Sequence, residues 1–89
     1  MDINGLAAIV TGGGSGLGAE TARQLAAKGA KVALFDVNMD GANAVAQEIG
    51  GIAIECDVTS DEGVASAIAQ AQAANGVARI VINAAGIAP

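Results

Sequence analysis

The sequence predicts an α/β protein built on a doubly wound parallel sheet. Hydrophobic residues make up 53% of the chain and charged residues 15%, a balance that excludes a disordered polymer. Aromatic residues account for only 1%, so the apolar content is largely aliphatic, as is usual where helices lie on a parallel sheet. Short continuous apolar runs also alternate along the chain with segments of helical periodicity.

The first half of the chain predicts two strands and two helices. The strand β1 is predicted over residues 6–11, an apolar run that ends at a glycine cluster. The helix α1 is predicted over residues 17–28, with Gly29 as its C-terminal stop. The strand β2 is predicted over residues 31–36. The helix α2 follows and ends at two glycines, and its apolar residues recur on one face: Ala42, Val45, Ala46 and Ile49.

The second half repeats this pattern. The strand β3 is predicted over residues 52–56 and the strand β4 over residues 78–83. Between them, the segment 59–62 (TSDE) predicts a capping box in which Glu62 reaches back to the Thr59 amide and starts the helix α3. This helix ends near Asn75, and its predicted apolar face comprises Val64, Ala67, Ile68 and Ala71. The order β-α-β-α-β-α-β requires right-handed crossovers, and it therefore predicts a three-layer fold with helices on both faces of one sheet.

Residues 1–89 are predicted to form one continuous unit without a linker or an internal repeat. In the usual strand order 3-2-1-4-5-6, the fourth strand is internal, whereas here it would be an unpaired apolar edge. We therefore expect an incomplete sheet and a chain that is the N-terminal portion of a longer single-domain protein. We also expect the isolated chain to self-associate or to be marginally stable.

Charge and composition exclude several classes of partner. The net charge is −5 with four basic residues, so no basic stripe exists for a nucleic acid. No apolar run approaches the roughly 20 residues that span a bilayer, and we expect a soluble, cytoplasmic protein. The chain has one cysteine, Cys56, which excludes an intrachain disulfide and a cysteine-based zinc site, and the lack of histidine argues against other transition-metal sites. Cys56 is expected to be a small buried hydrophobic residue.

The segment 11–18 (TGGGSGLG) connects β1 to α1, where free backbone N–H groups and the helix dipole favour an anion. Glycine suits this turn because unusual φ values, close approach of a ligand and tight helix packing are all needed. The predicted ligand is the pyrophosphate of a dinucleotide. The alternative is that the glycines only form a tight turn.

Asp36 ends β2 roughly 20 residues beyond the glycine turn, where a carboxylate can accept hydrogen bonds from both adenosine ribose hydroxyls. The same carboxylate repels a 2′-phosphate. No basic residue lies in residues 37–40 or in the glycine turn, so NAD(H) is predicted over NADP(H). The alternative is that Asp36 only caps the following turn.

Two further segments follow strands at the same sheet edge. Asp57, before Val58, is placed to bind the adenine amino group, with the alternative that it only introduces α3 before Thr59. The segment 83–86 (NAAG) has small residues that let the backbone approach a nucleotide ribose, and the Asn83 side chain is predicted to brace neighbouring strands. Taken alone, this segment indicates only a turn.

Together these motifs resemble the N-terminal third of the short-chain dehydrogenase/reductase family, which has a Rossmann fold. The stretches TGGGSGLG, DVTS and NAAGIA are most similar to its 3-hydroxyacyl-CoA dehydrogenase type 2 branch. The family's T-G-x-x-x-G-x-G loop corresponds to Thr11, Gly12, Gly16 and Gly18, and its β2 acid corresponds to Asp36. Its D-V pair corresponds to Asp57 and Val58, and its N-[NA]-A-G element corresponds to Asn83, Ala84, Ala85 and Gly86. The resemblance implies that NAD is held by the Ser15 hydroxyl, the Leu17 amide, Asp36, Asp57, the Val58 amide and the backbone near Ala84, with Gly86 beside the ribose.

The resemblance also implies what this chain lacks. Family members carry a catalytic serine and a Tyr-x-x-x-Lys, in which tyrosine exchanges a proton with the substrate, lysine lowers its pKa and nicotinamide exchanges the hydride. The sequence contains no tyrosine, so no residue here is assigned a catalytic role and the chain alone is expected to be inactive. The resemblance implies a parent protein that is a tetrameric NAD-dependent oxidoreductase of secondary alcohols, ketones or 3-hydroxyacyl-CoA.

Two alternatives stay open at this point. One is a non-catalytic NAD-binding module that regulates a partner. The other is an S-adenosylmethionine-dependent methyltransferase, which also uses a glycine-rich first turn and an acid after β2. The Thr11 opening, the glycine spacing and the NAAG segment count against the methyltransferase.

Overall fold

The computed structural model describes residues 2–14 and 16–84, in which strands and helices alternate as predicted. The predicted ranges of the four strands and of α1 differ from the observed ranges by at most one residue. The observed elements are β1 (Ala7–Thr11), α1 (Gly16–Ala27), β2 (Lys31–Asp36), α2 (Met39–Ile49), β3 (Ile52–Glu55), α3 (Asp61–Asn75) and β4 (Ala78–Asn83).

The four strands form one parallel sheet in the order β3-β2-β1-β4. The chain first moves outward from β1 through β2 to β3, then crosses back to place β4 on the other side of β1. This reversal confirms the predicted doubly wound topology. Thr11 at the end of β1 is paired in register with Phe35 of β2 and Asn83 of β4, so these strands end at one sheet edge.

Alternate residues of the central strands pack against opposite helix layers, which confirms the three-layer prediction. One face of the sheet, with Val10 and Leu34, packs against α1 and α2, and the other face, with Ile9 and Phe35, packs against α3. The buried helix positions are mostly alanine, which lets the helices lie close to the sheet. These alanines are Ala19, Ala22, Ala42, Ala46, Ala67 and Ala71.

The predicted start and apolar face of α3 need two corrections. The N-cap is Ser60, whose Oγ accepts a hydrogen bond from the Gly63 amide at 3.1 Å, so the predicted Thr59 capping box was wrong. The Thr59 amide and hydroxyl both donate hydrogen bonds to Asp57, so neither is available for the predicted capping box. Ile68 was assigned to the apolar face, yet 43% of it is exposed within the described part of the chain.

Within the described residues, β4 is an edge strand that has β1 as its neighbour, as the sequence predicted. Burial alternates along it, with Ile80 and Ile82 half-buried against the α1–α2 side and Val81 exposed. Val81 is 63% exposed on the opposite face, beside Ile9 and Phe35. An apolar side chain next to unpaired backbone groups favours strand-to-strand association.

We predict that Val81→Lys reduces self-association of the 89-residue chain, because a charged side chain on an edge strand opposes the pairing of two such edges. Static light scattering over a concentration series measures the effect. Val77→Lys is the matched control, since Val77 is 62% exposed but precedes the strand. A monodisperse wild-type monomer, or equal effects of the two variants, would contradict the prediction.

Candidate functional site

The polar residues singled out in the sequence meet at the carboxyl edge of the sheet. Asp36 ends β2 and Asn83 ends β4, on either side of the segment that leaves β1 at Thr11. Asp57 follows shortly after β3. Ligands of doubly wound sheets bind at this edge, where the strand order reverses. The candidate site is therefore the cluster of loops at the carboxyl ends of the four strands.

The glycine turn has the backbone that its composition predicts. Gly12 and Gly16 adopt positive φ angles of 66° and 58°, which side chains of L-residues disfavour. A Cβ at Gly18 would overlap the Gly12 carbonyl oxygen, so glycine is needed there for the first turn of α1 to pack on the loop. The predicted need for unusual φ values is therefore confirmed, and α1 does pack tightly at Gly18, although against the loop at Gly12 rather than against β1 itself. The third, close approach of a ligand, stays a prediction.

The Asp36 carboxylate connects the glycine turn to the loop that follows β2. Its Oδ2 accepts a hydrogen bond from the Gly14 amide at 2.9 Å, and its Oδ1 accepts one from the Asn38 amide at 3.0 Å. The predicted alternative, that Asp36 caps its own turn, thus describes only half of its contacts. Each carboxylate oxygen can accept more than one hydrogen bond, so hydroxyl donors can still bind to it.

A small cavity of about 170 Å³ lies beside this carboxylate. Its lining combines two carboxylates with apolar side chains and the backbone of the glycine turn. The lining residues are Gly12, Phe35, Asp36, Val37, Cys56, Asp57 and Val58. An apolar cleft with a few polar groups is typical of a small-molecule binding site.

Cys56 lines this cavity as an uncharged thiol. It is buried, with 4% of its surface exposed, which confirms the expected role as a small hydrophobic residue. Burial raises the pKa of the Cys56 thiol, and the neighbouring Asp57 carboxylate raises it further. The thiolate is therefore disfavoured, and Cys56 contributes packing rather than nucleophilic chemistry.

Asp57 makes the contacts expected of a residue that introduces a helix. Its Oδ1 accepts hydrogen bonds from the Thr59 hydroxyl at 2.7 Å and from the Thr59 amide at 2.9 Å. These bonds stabilise the charged form and lower the pKa of Asp57, the hydroxyl contributing most. A contact with adenine stays a prediction for this residue and for Val58, which is 44% exposed.

We predict that Thr59→Val raises the pKa of Asp57 toward its ordinary value, because the variant removes the hydroxyl donor and keeps the amide. A lowered pKa stabilises the folded chain above the ordinary aspartate range, and this contribution is lost as the pH falls through the folded-state value. Carboxyl carbon chemical shifts followed by NMR from pH 2 to pH 6 measure the pKa. Thr21→Val is the control, since the Thr21 hydroxyl donates to the Leu17 carbonyl instead. An Asp57 pKa that stays equally low in Thr59→Val would contradict this assignment.

The electrostatic environment of the site is acidic. Lys31 begins β2 and Arg79 lies near the start of β4, at the opposite edge of the sheet. The Arg23 guanidinium contacts the Glu48 carboxylate at 2.8 Å, where α1 and α2 face solvent. No basic side chain therefore lines the described cavity beside Asp36 and Asp57.

Asn83 braces the sheet as predicted. Its side-chain oxygen accepts a hydrogen bond from the Thr11 hydroxyl at 2.8 Å, which connects β4 to β1 at the carboxyl edge. Ala84 follows as a buried residue. Leu17 lies in the first turn of α1 with its side chain exposed. Ser15 and Gly86, which were also assigned to the site, lie outside the described residues.

Sequence reasoning missed the part played by Gly14 and Gly41. The Gly14 amide bonds to Asp36, and the first turn of α2 at Gly41 lies directly against the Gly14 carbonyl. Gly14 occupies one of the variable positions of the glycine motif, so the motif does not single it out. The available signal was a glycine in the first turn of a helix, which lowers helix stability and therefore suggests a packing requirement.

No helix in residues 2–14 and 16–84 is both long and apolar enough to cross a membrane. In the same part of the chain, no three histidine, cysteine, aspartate or glutamate side chains come together as ligands for a metal ion.

Comparison with known proteins adds independent information. The family model for short chain dehydrogenases matches residues 6–89. Human 3-hydroxyacyl-CoA dehydrogenase type-2 is 40% identical over 88 residues, which cover 97% of this chain and 34% of the human protein. D-threitol dehydrogenase of Mycolicibacterium smegmatis is 38% identical over 91 residues, covering 97% of this chain and 35% of that protein. The chain thus spans about a third of the length of these relatives.

Solved structures of dehydrogenases and reductases also resemble this chain. A hydroxysteroid dehydrogenase from Escherichia coli superposes with a TM-score of 0.90 and 37% identity, covering 94% of this chain and 36% of that one. A 3-ketoacyl-(acyl-carrier-protein) reductase from Brucella melitensis, complexed with NADH, superposes with a TM-score of 0.86 and 34% identity, covering 89% of this chain and 33% of that one.

Proposed function

The chain belongs to the short-chain dehydrogenase family, and from this premise we propose that it binds NAD at the carboxyl edge of the sheet. The observation that carries the proposal is the Asp36 carboxylate, which the Gly14 and Asn38 amides fix in place beside the small cavity. A carboxylate fixed in this way accepts hydrogen bonds from the two hydroxyls of the adenosine ribose.

The proposed roles follow the order of the site residues along the chain. The turn from Gly12 to Gly18 receives the pyrophosphate, whose charge suits the free amides at the start of α1. The adenine ring enters the cavity between Val37 and Val58, near Asp57. The full set of proposed binding residues is Gly12, Ser15, Gly16, Leu17, Gly18, Asp36, Asp57, Val58, Asn83, Ala84 and Gly86.

Charge supports NAD rather than NADP. A 2′-phosphate on the adenosine ribose would face the Asp36 carboxylate, and the cavity lining contains no arginine or lysine to compensate. The bonds from Gly14 and Asn38 also restrain the carboxylate from turning away. A 2′-phosphate would therefore meet both charge repulsion and steric hindrance from the Asp36 carboxylate.

For the whole protein, we propose an oxidoreductase that transfers a hydride between NAD(H) and a secondary alcohol or ketone, with 3-hydroxyacyl-CoA as one candidate. Bound nicotinamide supplies the hydride chemistry. This chain has no tyrosine, so in this proposal the proton-transferring Tyr-x-x-x-Lys belongs to a part of the whole protein outside these 89 residues. A homo-oligomeric, cytoplasmic parent protein is part of the same proposal. Membership in this family argues against the methyltransferase alternative.

Equilibrium binding of NAD and NADP to the 89-residue chain, measured by calorimetry at low ionic strength, tests the cofactor proposal. We expect measurable binding of NAD and ADP-ribose and binding of NADP that is at least tenfold weaker. Binding of neither dinucleotide would overturn the assignment of a binding site to these residues. Equal binding of both would overturn the proposed role of Asp36 in selectivity.

A further inference from the structure

All three helices in the described part of the chain have a glycine as the third helical residue, and in α2 and α3 the amide of this glycine also donates to the N-cap side chain. In α2 the N-cap Asn38 side chain accepts from the Gly41 amide at 3.4 Å, and in α3 the N-cap Ser60 side chain accepts from the Gly63 amide at 3.1 Å. Neither glycine has a positive φ angle. Backbone conformation and capping therefore require glycine at neither position.

The surroundings of the two glycines differ. A Cβ at Gly41 would lie 2.6 Å from the carbonyl oxygen of Gly14, which is backbone and cannot rotate away. A Cβ at Gly63 would lie 3.2 Å from the Oγ of the Ser60 side chain and at an ordinary contact distance of 3.7 Å from the Asp57 carbonyl oxygen. Of these two glycines, only Gly41 lies so close to another backbone segment that an added Cβ would overlap it.

That contact lies next to the proposed ribose site. Gly14 presents its carbonyl oxygen to Gly41 and its amide to Asp36 Oδ2, the latter at 2.9 Å. A Cβ at Gly14 would itself lie 2.8 Å from the Ala42 amide nitrogen, so the glycine turn is held between α2 and the carboxylate. A displacement of Gly14 therefore moves the donor that restrains Asp36.

We propose that Gly41 is a positioning residue for the adenosine ribose, because its lack of a side chain lets α2 hold Gly14 on the Asp36 carboxylate. The inference rests on the proposed NAD site and extends it to a residue that does not line the cavity beside Asp36. With alanine at position 41, the Gly14 amide moves off Oδ2 and Asp36 keeps the Asn38 amide as its restraint. A carboxylate with one restraint in place of two binds the ribose hydroxyls less selectively.

The binding test compares NAD with its 2′-deoxyadenosine analogue, which lacks one ribose hydroxyl. We expect Gly41→Ala to weaken NAD binding by about tenfold, the loss typical of one charge-assisted hydrogen bond, and to weaken the analogue much less. Gly63→Ala, the matched control, leaves both affinities unchanged. In an Asp36→Ala background, Gly41→Ala has no further effect on the ratio of the two affinities. Equal losses for both dinucleotides in Gly41→Ala would overturn the proposal, since they indicate a general loss of structure.

A measurement without ligand separates this inference from the proposed function. The amide proton of Gly14, observed by NMR in the 15N-glycine-labelled chain, is expected at low field because it donates to a carboxylate. We expect Gly41→Ala and Asp36→Ala to move this resonance to higher field, and Gly63→Ala to leave it in place. If the wild-type chain binds no dinucleotide, the proposed function fails while this resonance still tests the link between Gly41 and Asp36. An unchanged Gly14 resonance in Gly41→Ala would overturn the inference. If the Gly41→Ala variant does not fold, the Asp36→Ala variant serves as the test. A Gly14 resonance that is the same in Asp36→Ala and in the wild type would then overturn the inference.

Discussion

The double variant Asp36→Ala, Val37→Arg is expected to reverse the cofactor preference from NAD to NADP. Alanine removes the acceptor for the ribose hydroxyls and the repulsion of a 2′-phosphate, and arginine supplies a guanidinium that pairs with the phosphate. Val37 is 64% exposed, so an arginine side chain fits there without repacking of the core. We expect NAD affinity to fall about 10- to 100-fold, the equivalent of roughly 1.5–3 kcal/mol for hydrogen bonds to a charged group.

Calorimetric titration of the variant with each dinucleotide measures this change. The matched control is Asp40→Ala, which removes an acidic residue from the first turn of α2 that does not line the cavity beside Asp36. The control should keep the wild-type preference for NAD. Because Asp36 also accepts from the Gly14 amide, urea unfolding of the variant is needed to separate lost binding from lost stability. An NAD preference that survives the double substitution would show that Asp36 does not select the cofactor.

The strands of this fold were predictable because each one carries its own signal. Residues of β1 and β2 are buried on both faces by helices, so both strands are continuous apolar runs, and glycines mark where neighbouring elements end. The doubly wound order followed from crossover geometry, which allows few ways to connect parallel strands. The position of Asp36 at the carboxyl edge followed from the end of β2 alone.

The contacts that were not predictable depend on competition or on distant backbone. Thr59 is a good N-cap residue, yet Asp57 binds it and Ser60 is the N-cap instead, a choice between neighbouring polar side chains of similar strength. The bond from Gly14 to Asp36 joins residues 22 positions apart through a main-chain amide. Sequence patterns describe side chains, so they do not report where a glycine amide points.

Gly18→Ala is expected to be the most damaging single substitution in the glycine turn. The added Cβ would overlap the Gly12 carbonyl oxygen and would lie 2.7 Å from the Gly12 carbonyl carbon and 3.2 Å from the Gly13 Cα. All three neighbours are backbone, so no side-chain rotation relieves the overlap and the start of α1 must move away from the loop. We expect a loss of about 3 kcal/mol in the free energy of unfolding, despite the roughly 1 kcal/mol by which alanine favours a helix over glycine.

Urea unfolding followed by far-ultraviolet circular dichroism measures this loss as a lower midpoint. Gly63→Ala is the control, because the atoms nearest to its Cβ would belong to the Ser60 side chain and the nearest backbone atom, the Asp57 carbonyl oxygen, would lie at an ordinary 3.7 Å. The gain in helix propensity should therefore leave its midpoint equal or higher. The displaced helix start also carries the free amides proposed to bind the pyrophosphate, so NAD affinity should fall together with stability in Gly18→Ala. A midpoint at or above that of the wild type would mean that the loop at Gly12 can move to accommodate the added methyl group. The close packing of α1 on Gly12 would then not be what requires glycine at position 18.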